Sequence, residues 1–344
     1  MDYFQALLKE IKMYKNKNVI IDTIFIGGGT PSFMFDGCIS TLLSEIRKNF
    51  NVLSTAEITI ESNPNSITLQ KAREWKDSGI NRVSVGLQTS NHNSLMLIGR
   101  THTKNDYIKA IEIIKSVGFT NINTDCLIGL PRQKLSDVKH TLNLVTKLGC
   151  SHVSVYSLIL EEGTPLYDMV EKKEVKLPKE IKALGMYHFA YKFLKSQGFD
   201  RYEVSNFAKP GTECKHNLNT WEMGEYLGFG AGAHGYLDNV RYSNCCSIEE
   251  YVNSLNNTKK PVEYSEELSD QEKLEETIML GLRTKYGINL DKIKKEYNVD
   301  LFETEKDAIE EFIAKNLLYI DGNNLIATDI GFTVLNKIIL DLVS

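Results

Sequence analysis

Along the first half of the chain, short apolar runs alternate with stretches of helical periodicity. The runs Ile21–Ile26, Glu57–Glu61, Arg82–Leu87, Ile122–Ile128 and His152–Leu158 predict strands. Helical spacing over Cys38–Asn49, Leu69–Ser78, Asn105–Val117 and Leu135–Leu148 fills the gaps after the first four. Strands that recur every ~25–40 residues with helices between them are parallel βα units. Runs such as Val83-Ser84-Val85-Gly86-Leu87 fit a barrel or a doubly wound sheet. One detail departs from that scheme: the chain opens on an amphipathic helix, Asp2–Tyr14, with no strand before it. From about Pro165 helices dominate, at Pro178–Ser196, Ser247–Asn256, Asp270–Thr284, Leu290–Tyr297 and Glu303–Ala314. A hairpin, Leu317–Ile320 with Leu325–Ala327, follows around Asp321-Gly322-Asn323-Asn324. A last helix is expected near Thr328-Asp329, both good N-cap residues. The predicted organisation is an α/β domain over residues 1–165 and a mainly helical domain with a small β-hairpin over 166–344.

A chain of 344 residues suits such a two-domain reading, and 42% hydrophobic with 25% charged residues is ordinary globular composition. The net charge of −5 gives no electrostatic support to nucleic-acid binding. The helix–helix–hairpin order near the C-terminus could signal a winged helix. Residues 262–344 carry 9 Lys+Arg against 18 Asp+Glu, which argues against DNA and for a packing or lid module. No apolar run approaches the ~20 residues of a membrane span. The N-terminus reads as an amphipathic helix and not a signal peptide. The six cysteines, Cys38, Cys126, Cys150, Cys214, Cys245 and Cys246, form no Cys-x-x-Cys set and are expected as reduced thiols in the cytoplasm. Cys126, inside an apolar strand, is expected in the core.

The informative chemistry lies at the ends of the predicted strands. Ile24-Phe25-Ile26 runs into Gly27-Gly28-Gly29-Thr30-Pro31-Ser32, and three side-chain-free residues there let a ligand approach main-chain groups closely. The spacing matches neither phosphate-binding glycine pattern, G-x-x-x-x-G-K-[ST] or G-x-G-x-x-G. Glu61-Ser62-Asn63-Pro64 follows the second strand, and Gly86-Leu87-Gln88 ends the third. Gly99-Arg100-Thr101-His102 comes next, and Asp125 lies in the fourth strand. Glu61 suits a ligand ammonium, Arg100 a carboxylate and Asp125 ribose hydroxyls. A ligand with an amino-acid head and a nucleoside tail would use them all, at the mouth where βα proteins bind ligands.

The motifs Gly-Gly-Gly-Thr-Pro-Ser, Glu-x-Asn-Pro, Arg-x-Ser-x-Gly-x-Gln, Gly-Arg-x-His and Asp-x-x-x-Gly-Leu-Pro come in this order. Together the chain resembles the radical S-adenosylmethionine (SAM) proteins related to oxygen-independent coproporphyrinogen III oxidase, over essentially its whole length. Tyr202–Ala208, His216–Trp221, Gly228–Gly235 and Met279–Arg283 make it most similar to the haem chaperone branch of that group. The resemblance implies a partial six-stranded (β/α) barrel with a helical C-terminal domain. It assigns SAM contacts to Gly28, Gly29, Thr30, Glu61, Gln88, Arg100 and Asp125. It also implies haem binding and delivery of haem to recipient proteins such as respiratory enzymes, with His216 and His234 as candidate iron ligands. Thr220 stands where the branch carries a tyrosine, so His216 and Trp221 are what remain of that motif. The alternative within the group is oxidative decarboxylation of coproporphyrinogen III in porphyrin biosynthesis.

The group holds a 4Fe–4S cluster with Cys-x-x-x-Cys-x-x-Cys after its first barrel strand, because thiolates suit soft iron and one open iron site chelates SAM. This sequence contains no such triplet. Aligned on the glycine motif, Met1 falls after that loop, so the first strand and the three ligands are expected to be missing, as in a truncated gene product or in a protein that has lost the cluster. The helix-first start fits that expectation. The residues as given are not expected to perform radical chemistry, since nothing supplies the electron that cleaves SAM.

Overall fold

The structure is a computed structural model and describes residues 2–343. It opens on α1 (Asp2–Met13) and enters β1 (Asn16–Ile26), followed by a 3-10 turn at Pro31–Phe33 and α2 (Cys38–Asn49). The βα series continues with β2 (Phe50–Ser62), α3 (Leu69–Asp77), β3 (Arg82–Gln88), α4 (His92–Leu97), α5 (Lys104–Ser116), β4 (Asn121–Ile128), α6 (Leu135–Lys147) and β5 (His152–Ser157). Then come α7 (Pro165–Glu171), α8 (Glu180–Ser196), β6 (Asp200–Arg201) and β7 (Asn206–Ala208). The remainder holds α9 (Lys215–Trp221), β8 (His234–Leu237), β9 (Val240–Asn244), α10 (Ile248–Asn256), β10 (Val262–Glu267), α11 (Asp270–Gly281), β11 (Ile288–Asn289), α12 (Leu290–Tyr297), α13 (Leu301–Thr304), α14 (Lys306–Ala314), β12 (Leu318–Asp321), β13 (Asn324–Ala327) and α15 (Leu335–Val343). The last helix begins later than its N-cap signal suggests. The Thr328 hydroxyl accepts from Gly331 N–H at 3.0 Å and caps a 3-10 turn over Gly331–Thr333 instead.

Contacts divide the chain into two compact units: Asn16–Arg201 with Ser205–Glu213, and Cys214 onward with Tyr202–Val204 and the residues up to Lys15. In the first unit the sheet order is β1-β2-β3-β4-β5-β7-β6. The strands β1 to β5 are parallel, and β7 and β6 add an antiparallel end. The sheet is a curled half-barrel of seven strands. Its two faces differ in kind. Ile58, Ile60, Val83, Val85, Leu87, Ile122, Ile128, Val153 and Val155 form one core with Leu43, Trp75, Tyr107, Ile111, Leu142, Val145 and Ala190 of the helices. Cys126 lies in that core, as its setting in an apolar strand predicts. The alternate positions of β3, β4 and β5 are polar: Arg82 and Ser84, Asn123 and Asp125, His152 and Ser154. The period-2 pleat sends these to the opposite face. Apolar residues at i, i+3, i+4 and i+7, such as Ile39, Leu42, Leu43 and Ile46 of α2, seat each helix on the apolar face.

The second unit combines helices with two three-stranded sheets, β10-β9-β8 and β11-β13-β12. The predicted hairpin is the β12–β13 pair, with Asp321 opposite Asn324. The other sheet has short strands in glycine-rich surroundings and gives little periodic signal. Leu274, Ile278, Ile293, Ile309, Leu325 and Ile338 share the core of α11, α12, α14, β13 and α15. The opening helix belongs to this unit. Ala6 of α1 packs with Cys245, Tyr251 and Leu255. Glu10 of α1 is fully buried and accepts hydrogen bonds from Gly230 N–H (2.8 Å), Asn244 Nδ2 (2.6 Å) and the Tyr251 hydroxyl (2.5 Å). Burial raises its proton affinity, against the pull of those three donors. Replacing Glu10 by Ala leaves three buried donors without an acceptor. Equilibrium denaturation of the whole chain is expected to show a loss of about 3 kcal/mol for Glu10→Ala. A loss below about 1 kcal/mol would show that the cluster contributes no more than an ordinary surface contact.

Candidate functional site

Because β1 to β5 run the same way, their C-terminal ends open on one side; the site residues of the first unit lie at or beyond those ends, apart from Asp125 within β4. Gly28, Gly29 and Thr30 follow β1 and are exposed. The loop is tied down beyond them: Ser32 Oγ accepts from Asn63 N–H at 3.0 Å, and Ser32 O accepts from Lys71 Nζ at 2.6 Å. The motif after β2 thus fastens the motif after β1. Gly28 has φ 84°, the left-handed region that favours glycine. A Cβ on Gly27 would lie 2.7 Å from Glu61 Oε2, so the missing side chain lets the Glu61 carboxylate rest on the loop, where it accepts from Gly28 N–H.

Glu61 is half-buried near the end of β2. Burial pushes its carboxyl up to about 7, and the negative charge of Asp125 adds to the rise; the Gly28 hydrogen bond and the Arg82 charge oppose it. Burial also raises Asp125, against hydrogen bonds from Asn123, Ser154 and Ser84 and the charge of Arg82. Two carboxyls that each resist ionisation and repel one another make a place that a cation stabilises.

Gln88 ends β3 with φ 66°, and the β3–β4 register breaks between Gly86 and Gln88. Thr89 N–H donates to Leu87 O at 2.8 Å, closing a γ-turn around Gln88 in its rarer, strained form. The same carbonyl meets His102 Nε2 at 3.1 Å, which assigns the ring proton to Nε2. His102 is buried, and burial lowers its proton affinity. The second half of Gly-Arg-x-His thereby braces the turn that carries Gln88. Arg100 is half-buried, its N–H bonded to Leu95 O at 2.9 Å, and its positive charge acts on His102. The structure thus brings Gly28, Glu61 and Asp125 into direct interaction. Gln88 pairs with Cys126, the neighbour of Asp125, across the β3–β4 ladder, while Arg100 follows α4.

His216 and His234 lie in the other unit: His216 is half-buried as the second residue of α9, and His234 is exposed at the start of β8. Cys38, Cys126, Cys150, Cys214 and Cys245 are buried and Cys246 is exposed, all as free thiols. Among the described residues no three His, Cys, Asp or Glu side chains stand where they could hold a metal ion. Residues missed in the sequence reading are those beneath the mouth: Ser84, Asn123, His152 and Ser154, all buried. Their signal is the polar alternation Arg82-x-Ser84, Asn121-x-Asn123-x-Asp125 and His152-x-Ser154, which an apolar-run reading of the strands passes over.

Comparison with known proteins follows the same outline. The radical SAM superfamily pattern matches residues 3–145, and the HemN C-terminal domain matches residues 268–334. The chain is 36% identical over 336 residues to the heme chaperone HemW of Lactococcus lactis, covering 98% of this chain and 88% of that protein. It is 32% identical over 340 residues to the heme chaperone HemW of Bacillus subtilis, covering 98% and 90%. Among solved structures, coproporphyrinogen III oxidase (HemN) from Escherichia coli superimposes with a TM-score of 0.86 at 21% identity, over 99% of this chain and 82% of that one. The half-barrel, the strand-end motifs and relatives matched along almost their whole length agree: the chain belongs to the radical SAM superfamily and, within it, to the family of proteins named heme chaperone HemW.

Proposed function

We propose that this protein is a haem chaperone that binds SAM at the mouth of its half-barrel and haem in its second unit, handing haem on to recipient haem proteins. The observation that carries the SAM part is the cradle of Gly28, Glu61 and Asp125. A backbone N–H holds one carboxylate on a side-chain-free loop, and a second carboxyl stands close enough to raise its proton affinity. Glu61 would take the ligand ammonium, Asp125 its ribose hydroxyls and Arg100 its carboxylate, with Gly29, Thr30 and Gln88 lining the approach. SAM bound there would supply a sulfonium centre. Reductive cleavage of that sulfonium would need an electron of the kind an iron–sulfur cluster supplies. The haem part draws on the names of the relatives, with His216 and His234 as the candidate imidazoles. The oxidase alternative has the fold likeness alone in its favour. A cytoplasmic setting suits the six free thiols. No helix among the described residues is long and apolar enough to cross a membrane.

Binding of S-adenosylhomocysteine, followed by calorimetry, tests the cradle. With Glu61 titrating at about 7, its carboxylate form grows as pH rises. The dissociation constant is expected to fall about tenfold between pH 6 and 8, as the competent fraction rises. Glu61→Gln is expected to bind weakly and without that slope. In the ligand-free protein the sign reverses: a carboxyl whose folded value lies above its ordinary one stabilises the fold at low pH and loses that contribution as pH rises. Glu61→Gln should therefore raise stability near pH 8 by up to about 3 kcal/mol and leave it unchanged near pH 4. Tight, pH-independent binding by Glu61→Gln would remove Glu61 from the site. For haem, titration with haemin at micromolar protein is expected to shift the Soret band, with the shift altered in either His216→Ala or His234→Ala. No Soret change in the unaltered protein would sink the chaperone reading.

A further inference from the structure

Beneath the mouth lies a closed set of hydrogen bonds centred on Asn123, which is 3% exposed. Its Nδ2 donates to Asp125 Oδ1 at 2.8 Å and to Ser84 Oγ at 2.8 Å. Its Oδ1 accepts from His152 Nδ1 at 2.6 Å and from the Ser154 hydroxyl at 3.2 Å. Two donors and two acceptor positions are all that a primary amide offers, and all four are used. The polarity is fixed by this set. Turning the amide over would face its oxygen to the Asp125 carboxylate, so Nδ2 points to Asp125 and the proton of His152 sits on Nδ1. His152 is fully buried, and burial together with the charge of Arg82 keeps the imidazole neutral. The Ser84 hydroxyl, having accepted from Asn123, donates to Asp125 Oδ2 at 3.2 Å.

A carboxylate has about four lone-pair positions, two on each oxygen. Asn123 occupies one on Oδ1 and Ser84 one on Oδ2. Ser154 is within reach of both Asp125 and Asn123 Oδ1, but has one proton to give. When that proton goes to Asn123, Asp125 keeps one open position on each oxygen. That is the number that two adjacent hydroxyl donors use. Asp125 is also the half-exposed member of the group, whereas Ser84, Asn123, His152 and Ser154 are all buried.

We infer that Asn123, held by His152, is a positioning residue that presents Asp125 as a bidentate acceptor for the vicinal ribose hydroxyls of the nucleoside ligand, with Ser154 as the swing donor that frees the second position. This rests on the SAM assignment made for the same mouth. The relay reaches the ligand through Asp125 and touches it nowhere else.

The test compares S-adenosylhomocysteine with its 2′,3′-dideoxy analogue by calorimetry on the whole chain. The unaltered protein is expected to prefer the diol by about tenfold or more, the worth of two hydrogen bonds to a charged acceptor. In Asn123→Leu that preference is expected to fall to within about twofold, while the dideoxy analogue binds as before. A merely structural role would weaken both ligands alike and keep their ratio, and that result overturns the inference. Ser154→Ala, a smaller change, is measured beside it: with no hydroxyl left to compete for Asp125, an expected rise of the preference by about threefold supports the swing donor, and an unchanged or lower ratio overturns it, whether or not Asn123→Leu folds. Nitrogen NMR gives an independent readout, with His152 protonated at Nδ1 in the unaltered protein; a proton on Nε2 alone would contradict the relay. If the unaltered protein binds neither ligand, the SAM assignment itself fails. If it binds both equally, the role of Asp125 fails while that assignment stands.

Discussion

The constraint on which the half-barrel depends is that its two sheet faces must be satisfied by different means. The face built from Val83, Val85, Ile122, Val153 and their neighbours is covered by helices and held by burial of apolar area. The opposite face carries Arg82, His152 and Asp125, which burial alone would expel. His152 and Asp125 are accommodated there by hydrogen bonds that run from His152 through Asn123 to Asp125 and Ser84. The geometry of the mouth follows from this. Glu61 and Asp125 stand on adjoining layers of the pleat, and their mutual repulsion is moderated by Arg82 below them.

Much of this was legible in residue order. Strand ends rich in glycine, acid and amide, on a regular βα rhythm, pointed to one side of the sheet, because parallel strands put all their C-terminal ends there. The interior face was not legible in the same way. Ser84, Asn123 and Ser154 are ordinary polar residues, and their importance comes from cross-strand register, which pairs Ser84 with Asn123 and Asp125 with Ser154. The sheet β10-β9-β8 escaped notice for a different reason: strands of four to six residues next to Gly228, Gly230 and Gly232 carry too little alternation to stand out. The strain at Gln88 is likewise invisible in sequence, since glutamine is no conventional signal for a positive φ.

The site shows how stability is traded for a ligand. Gln88 is held in a conformation that side chains disfavour, and Glu61 and Asp125 are kept where ionisation is unfavourable. Each is braced from behind, Gln88 by His102 through the Leu87 carbonyl and Asp125 by Asn123. Bracing of this kind would remove reorganisation from binding at the proposed site.

The membership of α1 in the second unit has a consequence for the order in which the chain assembles. Glu10 finds its donors at Gly230 and Tyr251, 220 and 241 residues away along the chain. During synthesis α1 leaves the ribosome before the half-barrel, yet its partners emerge only after the whole half-barrel has been made. A twelve-residue helix on its own is marginal in water. The half-barrel, whose contacts are local βα steps, can therefore fold while α1 waits, and closure of the longest loop in the molecule becomes a late event.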